Sequence, residues 1–165
     1  MVGYHSAAGE TGNPLSHTFN KATERILLND EPMSEFLYYA YAAASIKVPQ
    51  VLISGDQGIC DFAKSKIPGI STVPVKSGTG ASTLSIHPDL AIIRIEEAAR
   101  NALTGDFSKC SIELPKEFSI QIRYREHAVA LDKSFYPGVR QIDGKTLQLD
   151  SRDFTDILRL VHFVL

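Results

Sequence analysis

Two histidines and a glutamate near the start of the sequence, His5, His17 and Glu35, are residue types that bind hydrolytic metals or move protons. A chain with 5 histidines yields such a trio by chance, so residue type alone is a weak signal. Catalytic zinc also takes three protein ligands and keeps one position open for water. The three residues therefore define a candidate metal or acid–base site that is short of ligands.

The elements that must position these side chains are a loop and a helix. Glycines, an asparagine and a proline between Gly9 and Pro14 exclude regular structure, so a loop separates the two histidines. The 3–4 spacing of apolar residues predicts a helix over 33–47, with Ser34 as its cap and Val48-Pro49 at its end. Glu35 then lies in the first turn, where the helix dipole favours a carboxylate.

A βαβ unit is predicted next. The apolar run Val51–Ile53 is typical of a buried parallel strand, a helix follows over about 57–66, and Ile70–Val75 forms the second strand. Lys76 closes that strand and is a weak candidate for substrate binding. The small residues 77–82 then predict a loop that could come close to a ligand.

The later part of the chain has a mixed pattern. It predicts four elements: a helix from Pro88 to about Leu103 with one apolar face, an alternating and antiparallel strand over 118–124, a short strand over 145–149, and a terminal helix over 153–165. The expected fold class is α/β, with a parallel βαβ core and a mixed α+β carboxy-terminal part. We expect residues 1–76 and 77–165 to pack together as one structural unit.

Composition excludes several function classes. The net charge of −2 gives no basic surface for nucleic acid, and the longest apolar stretch is too short to span a membrane. No secretory signal is visible, and Cys60 and Cys110 do not form a disulfide framework, so we expect a cytoplasmic protein with reduced thiols. Lys76 precedes Gly78 and Gly80, the reverse of a phosphate-binding P-loop. Asp56, at a strand end, is explained equally by a ligand site and by a helix cap.

Several segments taken together resemble the M55 family of D-aminopeptidases. The segments are Gly3-Tyr4-His5, Ser16-His17, Glu35 and the stretch from Val48 to Asp56, in the family's order and spacing. Further similarity continues to the final helix. The resemblance covers nearly all of this chain but only the later half to two-thirds of a family member.

The resemblance implies a site of two zinc ions. In that family the ions are held by an Asp-x-Glu near the start, a histidine further on, the Gly-Tyr-His histidine and a later glutamate. His5 and Glu35 match the last two ligands, and His17 matches a histidine with a catalytic role. The implied activity is release of an N-terminal D-amino acid from short D-amino-acid-containing peptides, by a homo-oligomer.

The remaining ligands have no counterpart in the residues Met1–Tyr4 ahead of His5. We therefore expect this chain to hold about half of the site, with the rest supplied by the full gene or by a partner chain. One alternative is a non-catalytic truncated or structural subunit that retains the fold. Another is a ligand-binding domain that uses residues 77–82.

Overall fold

The computed structural model describes residues 1–165. In chain order its elements are β1 (Thr23–Leu28), β2 (Glu31–Pro32), α1 (Glu35–Ser45), β3 (Leu52–Asp56), α2 (Gln57–Lys66), β4 (Ser71–Thr79), β5 (Ser82–Ser85), α3 (Pro88–Ala102), β6 (Phe118–Tyr124), α4 (His127–Lys133), β7 (Arg140–Gln141), β8 (Thr146–Ser151) and α5 (Phe154–Val164). None of the five helices is long and apolar enough to cross a membrane.

The chain forms two compact units that alternate along the sequence. The first unit contains Met1–Ser6, Glu10–Ser16 and Phe36–Glu113, and the second contains Ala7–Gly9, His17–Glu35 and Leu114–Leu165. The division expected between residues 76 and 77 stays a prediction.

The first unit contains a three-stranded sheet in the order β3-β4-β5. Strands β3 and β4 are parallel, and helix α2 connects them, so the predicted βαβ unit is confirmed. All five residues of β3 are buried, as the apolar run Val51–Ile53 indicated. The mixed α/β fold class is confirmed as well.

The predicted loop over 77–82 is wrong. Strand β4 continues past Lys76 to Thr79 and pairs with β5 in an antiparallel hairpin, in which Lys76 lies opposite Ser85. Gly80 makes the turn possible because its φ of +57° is accessible to glycine at little cost. The small residues therefore complete a sheet edge, and Lys76 lies within the strand instead of closing it.

The predicted helix from Pro88 to about Leu103 is confirmed as α3, but none of its residues is fully buried. Ile92 and Ile93 are 64% and 59% exposed, and Leu90 is also exposed. Its half-buried residues include the small side chains Ala91 and Ala98, which cover little apolar area. Much of the apolar surface of this helix is thus left exposed in the first unit.

The second unit contains a five-stranded antiparallel sheet in the order β2-β1-β6-β8-β7. The predicted strand over 118–124 is confirmed as β6, with Phe118, Ile120, Ile122 and Tyr124 buried. The predicted terminal helix is α5, which buries an apolar stripe that includes Phe154, Ile157 and Leu160. Burying each large side chain stabilises the unit by roughly 1.5–3 kcal/mol.

Candidate metal centre

His5 follows a short extended segment at the edge of β3 in the first unit. Tyr4 forms a parallel bridge with Gly55: its amide donates to the Ser54 carbonyl at 3.0 Å, and its carbonyl accepts from the Asp56 amide at 3.2 Å. A Cβ atom at Gly55 would lie only 2.1 Å from the Tyr4 oxygen, so this pairing requires glycine. His5 is thereby placed at the carboxyl end of parallel strands, where ligands gather in α/β sheets.

The imidazole of His5 is half-buried, and its orientation indicates a single tautomer. Its Nδ1 atom lies 3.0 Å from the backbone oxygen of Ser6. Because a carbonyl oxygen can only accept, Nδ1 must carry the proton, which leaves the lone pair on Nε2. A histidine that donates one ring N–H to a backbone carbonyl and offers the other nitrogen has the usual arrangement of a metal ligand.

The loop that follows His5 is anchored by the buried carboxylate of Asp56. Oδ2 accepts from the Ser6 amide at 2.8 Å and from Asn13 Nδ2 at 3.2 Å, while Oδ1 accepts from Ser6 Oγ and from the Ile59 amide, each at 2.8 Å. Burial alone would raise the pKa of this carboxyl. The hydrogen bonds from Ile59 and Ser6 outweigh burial and hold its pKa below the usual value.

His17 and Glu35 lie together in the second unit. Ligand atoms of the two side chains, an imidazole nitrogen and a carboxylate oxygen, are within 4.8 Å of each other. Glu35 is the first residue of α1, and its Oε1 accepts a 2.6 Å hydrogen bond from the amide of Phe19. Between them, the buried Thr18 donates from Oγ1 to the Met33 carbonyl at 2.9 Å. These bonds fasten the segment around His17 to the segment that carries Glu35.

The donor types fit zinc. Imidazole nitrogen and carboxylate oxygen are among the common protein ligands of zinc, and hydrogen bonds that orient such ligands are a regular part of zinc sites. In the first unit His5 has such a bond through Nδ1, and in the second unit Glu35 has one through Oε1.

Lys76 is half-buried in β4 and lies opposite Asp56 in the register of the parallel pair. It lines a groove of about 370 Å³. The other residues that line this groove are Gln57, Pro74, Val75, Ser77, Leu84, Ser85 and Ile86. A lysine on a mostly apolar wall is suited to an anionic group on a small ligand.

Gly78 does not face an open ligand site. Its amide donates to the Gly12 carbonyl at 3.0 Å, and a Cβ atom at this position would lie 2.8–3.0 Å from atoms of Gly12, Asn13 and Pro14. The absence of a side chain thus lets β4 approach the loop that follows His5. Gly78 itself is thus packed against that loop and is not available to a ligand.

Sequence reasoning missed Ser6, Asn13 and the glycines around them. Ser6 and Asp56 are 50 positions apart, and no local pattern joins them. The cap of α2, one of the two explanations of Asp56, is present. His87 caps α3 by accepting from the Asp89 amide at 3.3 Å.

Comparison with known proteins connects this geometry to one family. The sequence profile of the family described as D-aminopeptidase (Peptidase M55) matches residues 1–163. A D-aminopeptidase of Bacillus subtilis is 25% identical to this chain over 158 residues, which are 94% of this chain and 57% of that protein.

A solved structure has the same fold. It is described as the Zn-dependent D-aminopeptidase DppA from Bacillus subtilis, a self-compartmentalizing protease, and it matches with a TM-score of 0.82 at 22% identity. The match covers 98% of this chain and 61% of that one. The chain thus spans about three-fifths of the length of both relatives.

Proposed function

The chain belongs to the M55 family of D-aminopeptidases, as its motifs predicted, and we propose that it takes part in zinc-dependent release of an N-terminal D-amino acid from short peptides. The observation that carries this proposal is the pairing of His17 with Glu35, whose ligand atoms lie within 4.8 Å of each other. The Zn-dependent relative of the same fold supports the choice of metal.

In this proposal His5 and Glu35 are metal ligands. His5 offers Nε2, because its Nδ1 is committed to the Ser6 carbonyl, and Glu35 offers a carboxylate oxygen. A site with two zinc ions needs more ligands than these two residues supply. We propose that the others come from polypeptide equivalent to the part of the relatives that this chain does not cover.

His17 is the proposed catalytic residue. Bound zinc polarises a scissile carbonyl and acidifies a water molecule. The imidazole of His17, held close to Glu35, would accept a proton from the attacking water and pass it to the departing amine. An imidazole is suited to both transfers because its ring nitrogens can accept and donate a proton.

Lys76 is the proposed substrate-binding residue. A short peptide ends in a carboxylate, and a half-buried ammonium group beside apolar side chains would attract that group. Lys76→Gln should raise KM for a dipeptide with little change in kcat. An unchanged KM would remove Lys76 from the site.

The experiment that tests the activity uses this chain assembled with polypeptide that carries the remaining ligands. The assembly should bind about two zinc ions per subunit and cleave D-alanyl dipeptides in preference to their L-alanyl counterparts. His17→Ala should abolish cleavage while zinc remains bound. Failure of the assembly to bind zinc would overturn the proposal.

A non-catalytic subunit is the second candidate, because the chain spans only 57% of its curated relative. In that case His5→Ala and Glu35→Ala would leave zinc content unchanged. Loss of zinc in either variant would support the metal site and contradict the non-catalytic candidate.

A homo-oligomer is also proposed. Leu84, Ile92 and Ile93 are apolar and exposed in the first unit, and such surfaces promote association. The related structure is described as self-compartmentalizing. Light scattering on the purified chain should give a mass that is a multiple of 18.1 kDa, and a monomer at micromolar concentration would contradict this.

A further inference from the structure

Asp56 does more than a helix cap requires. A cap needs one acceptor for one amide, and Asp153 serves α5 in this way from an exposed position by accepting from the Thr155 amide. Asp56 is fully buried and accepts four hydrogen bonds, only one of which comes from its own helix. The other three come from Ser6 and Asn13, in the loop that follows His5.

The hydroxyl of Ser6 lies close to the backbone of two glycines. A Cβ atom at Gly58 would lie 2.6 Å from Ser6 Oγ, and one at Gly12 would lie 2.8 Å from it. Two glycines thus form a cradle around this hydroxyl, which donates to Asp56 at 2.8 Å. Because the Ser6 amide is also bound to Asp56, the residue that carries this carbonyl is anchored through both its backbone N–H and its side chain.

We propose that Asp56 is a positioning residue for His5, which acts through Ser6 to hold the imidazole in the tautomer with its proton on Nδ1. The Ser6 carbonyl accepts from Nδ1 at 3.0 Å, and that oxygen is oriented by the two bonds that Ser6 makes to Asp56. Nε2 then carries the lone pair whether or not a metal is bound. Asp56 thereby fixes the tautomer of His5, one ligand of the proposed site, before a metal binds.

The variant Asp56→Asn distinguishes the role of Asp56 as the cap of α2 from its role in holding the loop that follows His5. The amide oxygen of the new side chain can still accept from Ile59 and Ser6 Oγ, but its NH2 group would then face two donors, the Ser6 amide and Asn13 Nδ2. The helix cap is therefore kept while two of the three bonds to the loop are lost. Asp153→Asn is the matched control, because it alters a cap in the same way without touching this loop.

The first measurement is made on metal-free protein. Nitrogen-15 NMR of the imidazole at about pH 8 distinguishes the two neutral tautomers of His5. We expect the Nδ1–H form in the unmodified chain and in Asp153→Asn, and a mixture with the Nε2–H form in Asp56→Asn. An Nε2–H imidazole in the unmodified chain, or an unchanged tautomer in Asp56→Asn, would overturn the proposal.

Ser6→Ala is the second variant and keeps the test decisive if Asp56→Asn does not fold. It removes one of the two bonds that hold Ser6 and leaves the carboxylate in place. We expect a smaller but measurable fraction of the Nε2–H form. If the tautomer in folded Ser6→Ala is that of the unmodified chain, Asp56 is only a structural residue.

The zinc measurement rests on the proposed function, whereas the tautomer measurement does not. In an assembly that binds zinc, Asp56→Asn should weaken zinc binding by about 10–100-fold, while Asp153→Asn leaves it unchanged. Absence of zinc binding in the unmodified assembly counts against the proposed function alone. Equal zinc affinity in Asp56→Asn and the unmodified assembly counts against the positioning role.

Discussion

The amide of Phe19 donates a 2.6 Å hydrogen bond to Oε1 of Glu35 while Phe19 adopts a φ of +60°. This left-handed conformation costs a residue with a Cβ atom roughly 1–2 kcal/mol. Such strain is often found beside functional groups, where the surrounding structure maintains it. Here it aims a backbone donor at one oxygen of the carboxylate.

Glu35→Gln tests whether the carboxylate is a ligand. The amide oxygen of the new side chain can still accept from Phe19, so we expect the free energy of unfolding to change by less than about 1 kcal/mol. Zinc affinity in the complete assembly should fall at least about 10-fold, because a neutral amide is a poor zinc ligand. Titration calorimetry measures the zinc affinity of the unmodified assembly and of the Glu35→Gln assembly. Glu10→Gln makes the same charge change at an exposed position and should bind zinc normally.

Gly58→Ala should destabilise the protein although alanine is the better helix former by about 1 kcal/mol. The new Cβ atom would lie 2.6 Å from Ser6 Oγ and 3.5 Å from Asp56 Oδ1, so the anchored loop would have to move. We expect a net loss of about 1–3 kcal/mol in chemical denaturation. Gly144→Ala, which meets nothing within 4 Å, should be nearly neutral. Equal stability of the two variants would mean that the cradle around Ser6 is loose.

Gly55→Ala should have a larger effect. Its Cβ atom would lie 2.1 Å from the Tyr4 backbone oxygen, which no side-chain rotation relieves. The parallel bridge between Tyr4 and β3 would open, and we expect a loss of more than about 3 kcal/mol. Hydrogen exchange checks this locally, because the Tyr4 and Asp56 amides that form the bridge should lose protection before the amides of α5 do.

Cys60 should be inert at neutral pH. Burial raises the pKa of its thiol to about 11, so about one molecule in a thousand carries the thiolate at pH 8. A disulfide reagent should modify this thiol only after unfolding. Rapid modification of Cys60 in the native protein would contradict its burial.

The same shift predicts a loss of stability in alkali. The unfolded thiol releases its proton near pH 9 and the folded one near pH 11, so the stabilising effect is complete below pH 9 and declines between the two values. Burial also raises the pKa of Tyr124, which contributes with the same sign. Cys60→Ala should therefore flatten, without abolishing, the fall in unfolding free energy from pH 9 to 11.

Elements with an unbroken local pattern could be predicted from the sequence. The alternation over 118–124 and the apolar spacing over 153–165 correspond to β6 and α5. Strand β1 was missed because a register shift between Thr23 and Arg25 interrupts the two-residue alternation that marks a strand. The β4–β5 hairpin was missed because small residues have the composition of a loop and gain order only by pairing.

The sequence likewise predicts some features of the candidate site and not others. His5, His17 and Glu35 could be found because their side-chain types carry the chemistry. The bonds that orient them could not, since the Ser6–Asp56 pair spans 50 positions. The need for glycine at positions 12 and 58 is also visible only in the structure, where the Ser6 hydroxyl lies against Gly12 and Gly58.

Because the two units alternate along the chain, neither of them is a single continuous segment. The backbone passes from one unit to the other after Ser6, Gly9, Ser16, Glu35 and Glu113. No single cut therefore releases either unit as a continuous piece, and neither can be inherited or exchanged as a module. A recombination event anywhere in the first 113 residues would divide at least one of them.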